Sequence, residues 1–165
     1  ANVACNFTTN RMMEDYIRQY YVPLAKRSSK MVAKEFAMAK EIAQWKDKMR
    51  GGWHNIEVVS ASNVDNVSGA LLLNNEYKAE ISLRVGDIDP QDLGIELLLA
   101  EPNKKGKLCI KEVFEYKFKE CTDGVATYKC KIVPDKTGAY QSALRMYAKN
   151  KQLPHRQDFE LVRWL

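Results

Sequence analysis

Tyr77-Lys78-Ala79-Glu80-Ile81-Ser82-Leu83-Arg84-Val85 puts an apolar side chain at every odd position and a polar one at every even position. A period of two is that of a β-strand with one buried and one wet face. The same rule reads residues 55–61, 93–100, 108–119, 125–133 and 140–149 as strands, with 69–73 and 161–164 as shorter ones. Turn signals stand between them: 87–91 with Pro90, 102–106, Thr122-Asp123-Gly124, and 134–138. Asp123-Gly124 between two alternating runs is the strongest hairpin signal in the chain. Short strands at this spacing, with no helix between them, point to a sandwich of two antiparallel sheets.

Asp135-Lys136-Thr137-Gly138-Ala139-Tyr140 narrows the architecture. It resembles the tyrosine corner of immunoglobulin-like sandwiches, in which the tyrosine hydroxyl reaches back to the backbone a few residues upstream, and Tyr140 is expected to be that residue. No Cys-Trp-Cys core set accompanies it, which argues against an antibody-type domain but not against the architecture.

Ahead of residue 52 the period is 3.6. Residues 7–23 form an amphipathic helix opened by Thr9 or Asn10, with Met13, Ile17 and Tyr20 on the face expected to pack into a core. A second helix over 29–49, capped by Ser28 or Ser29, carries Met38, Ile42, Trp45 and Met49 in one stripe and Val32, Phe36, Ala39 and Ala43 in the next. Two helices alone cannot cover so much apolar surface. Met38, Ile42, Trp45 and Met49 are therefore a candidate interface toward the following domain, a second copy of the chain, or the remainder of a larger protein. Gly51-Gly52 is expected to end the helix by accepting positive φ. The expected organisation is a helical segment, 1–51, followed by the β-sandwich, 52–165.

Charge divides at the same place. Residues 1–52 hold ten Lys or Arg against five Asp or Glu, whereas 53–165 hold sixteen of each, so the whole net charge of +5 lies in the first third. The basic residues are spread along a helical pattern and no nucleic-acid motif accompanies them, so a solvated or partner-facing helix surface is the expectation and nucleic acid is not. There is neither a cationic leader with an apolar run nor a series of 18 apolar residues, so no membrane partner is expected and the cytoplasm is the expected compartment. Cys5, Cys109, Cys121 and Cys130 show no Cys-x-x-Cys pairing, and reduced thiols are expected.

Catalytic patterns are missing. His54 and His155, the only histidines, have no Cys, Asp or Glu at metal-ligand spacing, so no metal site is expected. Asp87 and Asp89 read as turn formers, and Lys104-Lys105-Gly106-Lys107 as a solvated hairpin tip. Trp53, Tyr77, Tyr116, Tyr128 and Tyr147 are the rings available for stacking on sugar. Alternation turns most of them inward and leaves Tyr147, on a face with Arg145 and Lys149, as the one expected outside and the candidate glucan contact.

The order of residue types in Phe7-x-Thr9-x-Arg11-Met12-x-x-x-Tyr16-x-x-x-Tyr20-Tyr21-x-Pro23 resembles the segment that closes the catalytic region of bacterial α-glucan (glycogen) phosphorylases. Leu161-Val162-Arg163-Trp164 resembles the Leu-Val-x-Trp terminus of the shorter enzymes of that family, and Gly86-Asp87-Ile88-Asp89-Pro90-Gln91-Asp92-Leu93 is similar to its Gly-x-Leu-x-Pro-x-Asp-Val turn. The resemblance runs from about Phe7 to Leu165. It implies a parent enzyme that moves glucosyl units between α-1,4-glucan and phosphate, with pyridoxal phosphate supplying its phosphate as a proton-transfer group. The chain itself is then a structural or interaction region whose partner is the rest of that enzyme. A glucan-binding module that takes α-glucan as ligand, and a dimerisation domain that forms a homodimer, are the alternatives.

The family's Glu-Ala-Ser-Gly-Thr-x-Asn-Met-Lys cofactor segment is missing from these residues; Phe36-Ala37-Met38-Ala39-Lys40 has a Met and a Lys without the Gly-rich approach that lets a backbone cradle phosphate. The 165-residue chain is therefore expected to take up no pyridoxal phosphate. Schiff-base absorbance retained at one equivalent through dialysis would overturn this.

Overall fold

The structure is a computed structural model that describes residues 8–62 and 72–165. It divides into two units, Ala1–Lys46 and Asp47–Leu165, with the boundary inside a helix and earlier than Gly51-Gly52.

In the first unit, α1 (Thr9–Tyr16) is capped by Thr8, whose hydroxyl accepts from the Arg11 amide at 3.3 Å. The cap is thus one residue before the expected Thr9. A π-helical turn, Ile17–Tyr21, joins it to α2 (Val22–Gly52). The wide turn lies where Pro23 lacks an amide hydrogen and its ring crowds the carbonyl four residues back. No second helix begins at Ser28 or Ser29; Ser29 instead bonds back to the Ala25 carbonyl at 3.0 Å within continuous helix. The break comes at Ala33–Phe36, where Lys34, Glu35 and Phe36 adopt φ of 50°, 54° and 64° although no Gly or Pro eases that conformation. The stripe expected to pack into a core is exposed, Met13 by 53%, Ile17 by 46% and Tyr20 by 53%.

The last turn of α2 opens the second unit and runs into a 3₁₀ turn, Trp53–Asn55. Gly52 stays right-handed, with φ −92°, contrary to the expected left-handed cap. Its role is spatial: a Cβ there would meet Ile88 Cγ1 at 2.8 Å.

Among the described residues seven strands follow: β1 (Glu57–Ser62), β2 (Tyr77–Arg84), β3 (Leu93–Pro102), β4 (Leu108–Thr122), β5 (Val125–Ile132), β6 (Gln141–Ala148) and β7 (Val162–Trp164). Every pairing is antiparallel, in the order β1-β2-β5-β4-β3-β6-β7. Residues 69–71 of the expected strand 69–73 lie outside the described residues, and Leu72 to Asn75 form a turn. The chain is therefore mainly β with a helical N-terminal part. The sheet is one hydrogen-bonded series, not two separate sheets, because the long β4 belongs to both halves. Its first part pairs with β3 and its last part with β5, with a bulge between Phe118 and Glu120. Asp123 and Gly124, at φ 51° and 76°, close the β4–β5 hairpin.

In the first half, Ala79, Ile81 and Leu83 stand opposite Cys130, Tyr128 and Ala126, and all are buried. The alternate positions form a wet face, with Lys129 on Glu80 at 2.9 Å, Lys131 on Glu76 at 2.6 Å, and Ser82 bonded to Thr127. Tyr128 packs edge-on against Phe118 and donates its hydroxyl to the Pro90 carbonyl at 2.8 Å. The second half centres on β3, which is buried on both faces from Leu93 to Leu99. Leu93, Ile95, Leu97 and Leu99 share one face with Leu144, Met146, Ala148 and Tyr116.

Burial pushes the Tyr116 phenol from its ordinary value of 10.0 to about 12 and raises the Tyr128 phenol as well. An acid whose pKa is raised by folding leaves stability intact below its unfolded pKa and removes it above. The free energy of unfolding is therefore expected to fall between about pH 10 and pH 12. Tyr116→Phe should flatten that fall in urea titrations, and an unchanged slope would refute the assignment.

Candidate functional site

On the other face of β3, one carboxylate stands in an apolar run. Glu96 is 6% exposed and lies opposite Arg145 on β6 and Glu115 on β4. A buried charge must be paired or neutralised. Arg145 donates to Glu96 Oε2 through Nη2 at 2.5 Å and Nε at 3.2 Å, and Arg156 donates to Oε1 through Nη1 at 2.6 Å. Both oxygens are thus held, and the two guanidiniums are held with them.

Aromatic rings frame the cluster. Arg156 sits 5.4 Å from the Tyr147 ring centroid and Arg145 sits 5.8 Å from that of Trp164. Tyr147, expected outside, is 9% exposed; its ring lies on Gly94, where any Cβ would come within 2.3 Å of Cζ. Alternation puts Tyr147 on the non-core face correctly, but the absence of a side chain at Gly94 and the arrival of Arg156 cover it. Burial raises its phenol pKa, with smaller contributions from Glu96 and Glu115. The short strand β7 leaves Trp164 60% exposed instead. Arg145, Tyr147, Arg156, Gln157, Phe159, Glu160 and Val162 line a shallow depression of about 280 Å³.

Arg156 owes its position to a capped turn, Arg156–Asp158. His155 Nδ1 accepts from the Gln157 amide at 3.1 Å, and Asp158 accepts from the His155 amide at 3.3 Å, so this histidine is a cap. Asp89 caps the turn Pro90–Asp92 by accepting from the Gln91 amide at 2.8 Å. Lys104 to Lys107 form the hairpin tip, where Asn103 Oδ1 accepts from the Lys105 and Lys107 amides. Among the described residues no group of His, Cys, Asp or Glu is arranged to hold a metal. Cys109, Cys121 and Cys130 are free, and burial pushes the Cys130 thiol up to about 11, away from nucleophilic use. Of the expected interface residues, Ile42 and Met49 are buried while Met38 and Trp45 are half-buried.

Pyridoxal phosphate needs a lysine desolvated in a pocket with a phosphate cradle nearby. Among the described residues no lysine is buried, and Lys40 is exposed on α2. The residues here do not fit the group.

Fold and face together define an antiparallel seven-stranded domain with a charge-locked outer surface, led by a helix. The chain belongs to the glycogen phosphorylase C-terminal domain family, which matches residues 53–165. It is similar to the maltodextrin phosphorylase of Thermococcus litoralis, at 20% identity over 167 residues that cover 99% of this chain and 19% of that protein. It is also similar to the glycogen phosphorylase of Mycobacterium tuberculosis, at 23% identity over 90 residues that cover 54% of this chain and 10% of that protein. The chain thus spans at most about a fifth of the length of these relatives. No solved structure matches it significantly.

Glu96 is the residue that sequence reasoning missed. Its signal was available in Leu93-Gly94-Ile95-Glu96-Leu97-Leu98-Leu99, where a lone carboxylate in a strand without alternation demands cationic partners. Glu96→Ala strands the two guanidiniums and is expected to lower the unfolding free energy by about 3 kcal/mol, the low end for a broken buried pair, because Arg156 stays half-exposed. Urea denaturation measures it; a change below about 1 kcal/mol, the surface-pair range, would show that the cluster is not buried in solution.

Proposed function

We propose that this chain is the non-catalytic C-terminal structural region of a cytoplasmic α-glucan phosphorylase, with residues 1–51 as the end of its catalytic region and 52–165 as its terminal domain. The family match over residues 53–165 carries the reading. Three features support it: the alignment extends through the helix to 99% of the chain, no lysine among the described residues is placed for pyridoxal phosphate, and the Glu96 charges are consumed internally. The parent enzyme transfers glucosyl units between α-1,4-glucan and phosphate, and its cofactor lysine belongs to residues other than these. The exposed Met13, Ile17 and Tyr20 stripe suits a helix that rests on the remainder of that enzyme.

Within this reading residues 52–165 are an immunoglobulin-like sandwich. The order β1-β2-β5-β4 on one side and β3-β6-β7 on the other is that of the ABED and CFG sheets, with β4 bridging them. The Tyr140 hydroxyl, just ahead of β6, donates to the Thr137 carbonyl at 3.5 Å, in the sense of a tyrosine corner. The glucan-module alternative loses its platform, since the Tyr147 ring is covered by Gly94 backbone and Arg156.

Phosphorolysis of maltoheptaose by the full-length polypeptide and by the 165-residue chain, both supplied with pyridoxal phosphate, tests the reading. Glucose 1-phosphate is expected from the first and not from the second. Release by the short chain would overturn the non-catalytic role, and a silent full-length polypeptide would overturn the phosphorylase assignment.

A further inference from the structure

The two outer faces of the sheet differ in kind. That of β2 and β5 carries Lys78, Glu80, Lys129 and Lys131 and is built for water. That of β3, β4, β6 and β7 is mixed, with the Glu96 cluster and the exposed Lys149–Glu115 pair at one end and apolar side chains at the other. On it Leu98 lies between Val113 and Ala143, and Ala100 stands opposite Ile110. Ile110 is 53% exposed, Val113 49% and Trp164 60%. A strand apolar on both faces is the pattern of a sheet with cover on both sides. Here residues 149–160 reach the rows of Gly94 and Glu96 through Arg156, and Leu98 in the next row is 2% exposed, so the open part begins at Ile110, Val113 and Ala143. Glu96 is neutralised as a buried group would be, at the margin of an apolar area that is still open.

We propose that the face formed by Ile110, Val113, Ala143 and Trp164 docks against the body of the parent phosphorylase polypeptide. This rests on the reading given above. About four-fifths of the Thermococcus litoralis relative lies outside the match, so a polypeptide large enough to cover the face is joined to the same chain. Tethering holds that surface at an effective concentration on the order of millimolar, far above the concentration of a second copy in solution. An intramolecular contact is therefore favoured over dimerisation through the same face. The open margin at β4, whose residues 108–116 have β3 on one side only, gives the partner backbone as well as side chains to meet.

Hydroxyl-radical footprinting of Trp164 in the full-length polypeptide and in the 165-residue chain tests this. Oxidation of Trp164 is expected to be fast in the short chain and to fall by roughly an order of magnitude in the full-length polypeptide, as a rim ring becomes a core one. The double change Ile110→Lys with Val113→Lys should restore fast oxidation in the full-length polypeptide. Equal oxidation in the two wild-type proteins overturns the proposal, as does a gene that encodes nothing beyond these residues. A short chain that sediments as a dimer with Trp164 protected assigns the face to a second copy and also overturns it. Protection in a full-length polypeptide without phosphorylase activity leaves the docking intact and removes only the enzyme reading.

Discussion

Strand β4 constrains everything around it. Over its length it changes hydrogen-bonding neighbour, from β3 at residues 108–116 to β5 at 117–122. Each part of β4 has one of these two neighbours on one edge, and the bulge at Phe118–Glu120, which bends and twists a strand locally, lies just after the changeover. The switch joins β1-β2-β5 to β3-β6-β7 in one hydrogen-bonded series.

The charged cluster on β3 is the second determinant, and it works by cost rather than by gain. A carboxylate between Ile95 and Leu97 is tolerable only if its oxygens are met, and Arg145 and Arg156 arrive from sequence positions 49 and 60 residues away to meet them. Because both guanidiniums must be there, β6 is held in register beside β3 and the segment that carries Arg156 is drawn across Tyr147. The same closure leaves both carboxylate oxygens engaged by guanidiniums.

The helix and the sheet pose opposite problems. The sheet has a core of its own, with Leu83, Ile95, Ile132 and Met146 sealed from solvent. The helix exposes Tyr16, Tyr20 and Tyr21 along its length. Neither α1 nor the π-helical turn after it holds a buried residue.

Local physics was legible in the residues. The expected strands match all seven strands of the described residues to within a few residues, because a wet face and a dry face leave a period of two wherever a strand is half-buried. Asp123-Gly124 declared its hairpin because few other pairs accept two positive φ values, and the family was readable in the order of motifs from Phe7 to Leu165. The helix break at Ala33–Phe36 left no mark, since neither Gly nor Pro occurs there. Only the tertiary structure decided which strands are neighbours, that Tyr147 lies covered while Trp164 stands exposed, and that Glu96 is shared by two arginines. Each of these depends on pairings between residues far apart in the chain, and a period read along one strand says which face a side chain takes but not what comes to cover it.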